Sequence, residues 1–145
     1  MKILKLLATT ALLVGAACSV TAQSLEIRKR QAEQEAELSR LVALTNKACG
    51  FDLKATIDVA TFNPDEFLQK SAVSWCSAAL TAMENLCGDA MGKQAVAGAV
   101  KSLTCSGAPA LSVDLTNGDL KYAFPFSSAS NANEQAIRSY LEKHL

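Results

Sequence analysis

Apolar residues recur at intervals of three and four over residues 24–49, where Leu38, Leu41, Val42, Thr45, Ala48 and Cys49 fall on one stripe. That period predicts a helix, and Gly50 is placed to end it. The first half of the segment is a charged arm, Glu26 to Arg40, whose charges alternate in sign from Glu26 to Glu37. Glu26 stands four residues before Arg30, and Lys29 four before Glu33. Such spacings support a solvated helix by ~0.2–0.5 kcal/mol per pair. No heptad is sustained, so the segment reads as an exposed charged arm rather than a coiled coil.

The period then shortens. In KATIDVATF, residues 54–62, Ile57, Val59 and Thr61 share one face and Asp58 the other, which predicts a strand. Asn63-Pro64-Asp65-Glu66 follows as a helix start, with Asn63 as cap, Pro64 in the first turn and Glu66 able to complete a capping box. The helix is expected to run over residues 64–87. Its polar positions form one narrow stripe, which places it at the centre of the domain. Small residues dominate 89–103, read as a further helix in which Gly92 and Gly98 permit close packing.

Residues 110–126, ALSVDLTNGDLKYAFPF, carry the strongest local signal. Asn117-Gly118 favours a type I′ hairpin turn. Folding about it sets Leu115 against Leu120, Val113 against Tyr122 and Leu111 against Phe124 on one face, and Asp114 against Lys121 on the other. A polar loop leads to a last helix over 131–144, opened by Asn131 and Glu134 as a second capping box. The expected fold is α+β, with four helices (about 25–49, 64–87, 89–103 and 131–144). They pack on one face of a three-stranded antiparallel sheet (54–62, 110–116 and 119–126).

The N-terminus changes the picture of the cysteines. Lys2 and Lys5 precede an apolar run from Leu6 to Ala17, and Val20-Thr21-Ala22 closes it with small residues. This reads as an export signal over residues 1–22, too short and wrongly flanked for a membrane span. The mature protein is then expected in the periplasm or outside the cell. A second reading makes Cys18 a lipid-attachment cysteine. Removal of the signal leaves 123 of the 145 residues, one domain. The signal holds two of the fourteen basic residues and none of the fourteen acids, so the mature charge is −2. A nucleic-acid partner or a polybasic membrane contact is not expected from that balance.

Four of the five cysteines lie in the mature chain: Cys49, Cys76, Cys87 and Cys105. An even number in an exported chain predicts two disulfides. Metal binding lacks the close-spaced ligand pairs it needs, since the one histidine is His144. On one helix, Cys76 and Cys87 stand about 16 Å apart, beyond the reach of about 7 Å that a disulfide allows. Cys87 to Cys105 would collapse the helix expected between them. A hairpin of the two central helices instead returns Cys105 toward Cys76, leaving Cys49 for Cys87. The expected bonds are Cys49–Cys87 and Cys76–Cys105.

No catalytic constellation can be assembled. There is no histidine suited to a triad and no phosphate-cradling glycine loop, and no cofactor is expected. Asp58 and Asp114, on the open sheet face, are the one conceivable carboxylate pair. The sequence thus points to a non-catalytic envelope protein that binds another protein, as an inhibitor or immunity protein does. The alternative is a carrier of an apolar ligand, held between the sheet and the alanine-rich helices. Candidate partner surfaces are the arm, with Arg30 and Glu33, and the outer sheet face, with Asp58, Asp114 and Lys121. Lys54 and Thr56 extend that face if their strand lies at an edge.

Overall fold

The computed structural model describes the backbone of residues 16–145 and the side chains of residues 24–145. The export signal expected over 1–22 and the lipidation reading at Cys18 rest on residues or side chains outside those described. Among the described residues, no helix is long and apolar enough to cross a membrane.

The chain is α+β. Helix α1 (Ala16–Cys49) leads to strand β1 (Lys54–Asp58) and a 3-10 turn (Val59–Thr61). Helices α2 (Pro64–Gln69), α3 (Ala72–Leu86) and α4 (Ala90–Ala99) follow. Strands β2 (Ser102–Gly107), β3 (Ser112–Thr116) and β4 (Asp119–Phe124) then precede α5 (Ser130–His144).

The sheet differs from expectation. It has four strands in the order β1-β2-β4-β3, with β1, β2 and β4 parallel and only β3 antiparallel to β4. The predicted helix over 89–103 stops at Ala99, and Val100 turns to extended backbone at φ −102°, ψ 123°. From there Leu103 and Cys105 alternate inward against Ser102, Thr104 and Ser106, a period-two pattern hidden behind the alanine-rich run. The connection from β1 to β2 contains three helices. So long a crossover returns the chain to the end where β1 began, which makes the pairing parallel. The strand expected over 54–62 ends at Asp58, where the 3-10 turn begins.

The hairpin keeps its predicted register, with Val113 opposite Tyr122, Asp114 opposite Lys121 and Leu115 opposite Leu120. Asn117 (φ 53°) and Gly118 (φ 82°) supply the two left-handed residues of the turn. Tyr140 of α5 guards the outer edge of β3, because the Leu115 N–H donates to its hydroxyl at 2.9 Å. A bonded edge cannot recruit a foreign strand at that residue.

The helix expected over 64–87 is broken at Lys70–Ser71. Asn63 caps α2 as predicted, accepting from the N–H groups of Asp65 and Glu66. At the break, α1 supplies what the two helix ends lack. The Lys70 carbonyl accepts from Arg30 Nη2 at 3.3 Å and from Gln34 Nε2 at 3.5 Å. Gln34 Oε1 accepts from the Val73 N–H at 3.3 Å. Gln34 is only 3 % exposed, so half of the expected solvent arm is a brace. Further along α1, the Thr45 hydroxyl donates to Glu84 of α3 at 2.6 Å. Asn46 clamps Leu53 through both its backbone groups as the chain enters β1.

Two disulfides complete the frame. Cys49–Cys87 ties the end of α1 to the end of α3, with Cα atoms 5.2 Å apart. Cys76–Cys105 ties α3 to the inner face of β2 at 5.8 Å. Between them lies a core in which Met83, Val96, Leu103, Leu120, Tyr122, Phe124, Ile137 and Leu141 are fully enclosed. Asn131 and Glu134 do not form the predicted capping box. The helix starts at Ser130, and Glu134 turns instead to Asn85 and Arg138. Asn133, in the first turn of this helix, is buried and donates to the Tyr122 hydroxyl at 2.7 Å and to Ser128 Oγ at 2.8 Å.

The brace and the buried tyrosine each have a measurable consequence. Gln34→Ala leaves a buried N–H of α3 without its acceptor and lowers unfolding stability in urea by about 1–3 kcal/mol. Glu33→Ala, one residue away and exposed, changes it by less than ~0.5 kcal/mol. Burial pushes the Tyr122 hydroxyl from its usual 10.0 up to about 12, against an opposing pull from Asn133. Below pH 10 both folded and unfolded tyrosine keep the proton, and the contribution is fully present. Above that the unfolded chain ionises first, so stability is lost progressively toward pH 12. At about 1.4 kcal/mol per pH unit the loss reaches roughly 2–3 kcal/mol. The difference between the wild type and Tyr122→Phe across pH 9–12 isolates it.

Candidate functional site

Parallel sheets are normally covered on both faces. This one, with three parallel strands, carries helices on one face only. Outward residues alternate along every strand and align across the sheet in three rows. The first is Lys54, Ser102, Asp119 and Thr116; the second is Thr56, Thr104, Lys121 and Asp114; the third is Asp58, Ser106, Ala123 and Ser112. Hydroxyls and charges fill the rows, and Ala123 is their one apolar member. Such a face is stable in water, and it offers a wide array of donors and acceptors at fixed spacing.

The predicted residues of this face are brought onto one surface but not into one site. Asp58 lies on edge strand β1 and Asp114 on the opposite edge strand β3. Three strand spacings of about 4.8 Å put those edges about 14 Å apart. Asp58 and Asp114 are therefore not a carboxylate pair. Asp114 and Lys121 stand directly opposite each other in the ladder. Even so, Asp114 accepts from the Thr116 hydroxyl, and the two side chains form no ion pair. Lys54 pairs with Asp52 at 3.1 Å, off the face. Among the described residues, Asp58 and Lys121 keep side-chain charges without a partner.

One cluster escapes the sequence reading. Asp119 accepts from Ser102 Oγ at 2.8 Å and from Thr104 Oγ1 at 3.1 Å, joining the two central strands β2 and β4 where they begin. Its signal is the alternation over residues 102–106, whose first two residues fall in the helix expected over 89–103. The His144 ring stacks on Tyr140 at 3.9 Å and bonds the Tyr140 carbonyl through Nδ1 at 2.7 Å. It serves the end of α5. Among the described residues, no group of three or more His, Cys, Asp or Glu is placed to hold a metal ion.

The arm divides into two sides. Arg30 turns inward to the Lys70 carbonyl and pairs with Glu33 at 3.8 Å. Glu37 pairs with Arg40 at 2.7 Å, and the hydrogen bond from Arg40 holds the Glu37 carboxyl below its ordinary value. Both ion pairs are exposed and i,i+3, and such pairs contribute little to stability. Arg30 is thus committed to the fold, while the arm's other charges, Glu33, Glu37 and Arg40 among them, stay exposed. The space between the sheet and the helices, where the carrier reading places a ligand, is occupied by Val96, Val100, Leu103, Leu120 and Tyr122, all at 0 % exposure.

No protein-family model, curated protein or solved structure matches this chain.

Proposed function

We propose that the protein is an exported, non-catalytic module of the bacterial envelope that binds another protein through the uncovered face of its sheet. The single observation behind this reading is a sheet with three of its four strands parallel that is covered on one face only. Its core, staples and helices all lie behind one face, and the other face carries unspent charges at Asp58 and Lys121 beside a regular array of hydroxyls. A partner covering that face would complete the two-sided burial that parallel strands usually have. The polar rows favour a wet, hydrogen-bonded interface over an apolar one. Two disulfides and a braced helix layer hold the face rigid, which lowers the entropic cost of association. An inhibitor or immunity protein fits this description. The export pattern at the N-terminus and the even cysteine count support the envelope assignment.

The test is capture from envelope extract by the oxidised protein, with hydrogen exchange mapping the contact. One protein is expected to be retained equally by the wild type and by the arm variant Glu37→Lys. Retention falls at least ~10-fold in the folded double variant Asp58→Lys, Lys121→Glu, and exchange slows in β1 and β4. Undiminished capture by the double variant, or slowed exchange confined to α1, would remove the sheet face from the account.

A further inference from the structure

A pocket of about 410 Å³ opens beyond the carboxyl ends of the three parallel strands. Small-ligand sites span about 300–1,000 Å³, and open α/β sheets bind ligands beyond the carboxyl ends of their strands. The pocket's apolar wall includes Phe62 and Phe126, whose ring centroids lie 5.1 Å apart. Its polar wall includes Glu66 of α2 and Lys70 just past its end, paired at 3.0 Å. Lys70 Nζ also sits 5.4 Å from the centre of the Phe126 ring, so charge and aromatic surface meet at one point. Pro109 and Pro125 also line it and stiffen it, since each fixes its own φ.

We infer that this pocket binds a free α-amino acid with a large apolar side chain. The charges decide the class. The wall holds one cation and one anion, with side chains 39 % and 51 % exposed. An exposed pair of this kind is worth little by itself, so a ligand can exchange with it at small cost. A simple anion taking Lys70 would leave Glu66 unpaired beside a second carboxylate. A simple cation taking Glu66 would strand Lys70 in the same way. A zwitterion satisfies both, its carboxylate on Lys70 and its ammonium on Glu66. Because the protein's two charges are only 3.0 Å apart, the ligand's charges must also be adjacent. An α-amino acid carries them on one carbon, whereas a peptide separates them. The side chain then lies on Phe62 and Phe126.

The site is distinct from the sheet face and is tested without any protein partner. Trp75 is the one tryptophan of the chain, and its ring meets Phe126 edge-on at 5.1 Å. Its fluorescence therefore reports on the pocket wall. Titration with L-phenylalanine is expected to give a saturable change at millimolar concentration or below. With 3-phenylpropionate, the anion alone, or 2-phenylethylamine, the cation alone, binding is at least ~10-fold weaker. Lys70→Gln shifts the preference toward the amine, and Glu66→Gln toward the carboxylate. Lys70→Gln keeps the backbone carbonyl that Arg30 and Gln34 hold, so the helix break persists. Absence of a saturable response, equal affinity for the three probes, or variants that leave the preference unchanged would each overturn the inference.

Discussion

The constraint on which the structure depends is that α3 is bonded at two points it cannot itself bring together. Cys76 and Cys87 are separated by about 16 Å of helix. One is bonded to the sheet at Cys105 and the other to α1 at Cys49. The two closed loops, of sequence separation 38 and 29, overlap along α3. Each typically contributes about 2–4 kcal/mol by restricting the unfolded chain. For a domain of this size, whose whole stability is ~5–15 kcal/mol, that is a large share. The layer of α1, α3 and α5 is thereby fixed over the sheet, with Thr45–Glu84 and Gln34 aligning α1 along the same helix.

The one-sided architecture follows from that fixation. With every helix committed to one face, the other face must survive in water, and its rows of serine, threonine and charge let it do so. The same arrangement places the strand ends under α2. The break at Lys70–Ser71 leaves Glu66 of the short helix α2, and Lys70 at its end, beside the aromatic cluster of Phe62, Phe124 and Phe126. A continuous helix over 64–87 would not need Gln34 and Arg30 at its middle. The polar brace from α1 is therefore part of what shapes the pocket, though it lies outside it.

Local signals in the sequence carried the elements whose causes are local. Asn117-Gly118 and the flanking alternation specify the hairpin and its register, because turn type, apolar pattern and face agree. Asn63 specifies a helix start because its side chain bonds N–H groups two and three residues on. What stayed hidden depends on distant partners. The break in the central helix is satisfied by Gln34, 39 residues before Val73, and helical periodicity cannot register such a partner. Strand β2 is masked because the alanine-rich helical pattern runs into its first two residues, and the alternation of Leu103 and Cys105 with serine and threonine is short. Once β2 is missed, parallel pairing and the 1-2-4-3 order cannot be reached, and Asp58 and Asp114 are drawn too close. The pocket was invisible for the same reason, since the 3-10 turn, α2 and the loops after β2 and β4 all contribute to its wall.

Non-reducing peptide mapping of the oxidised protein tests the pinned central helix most directly. The account predicts peptides joined as Cys49–Cys87 and Cys76–Cys105, with no free thiol among these four. A peptide joining Cys76 to Cys87 would contradict it, because those residues could meet only if α3 were not a helix.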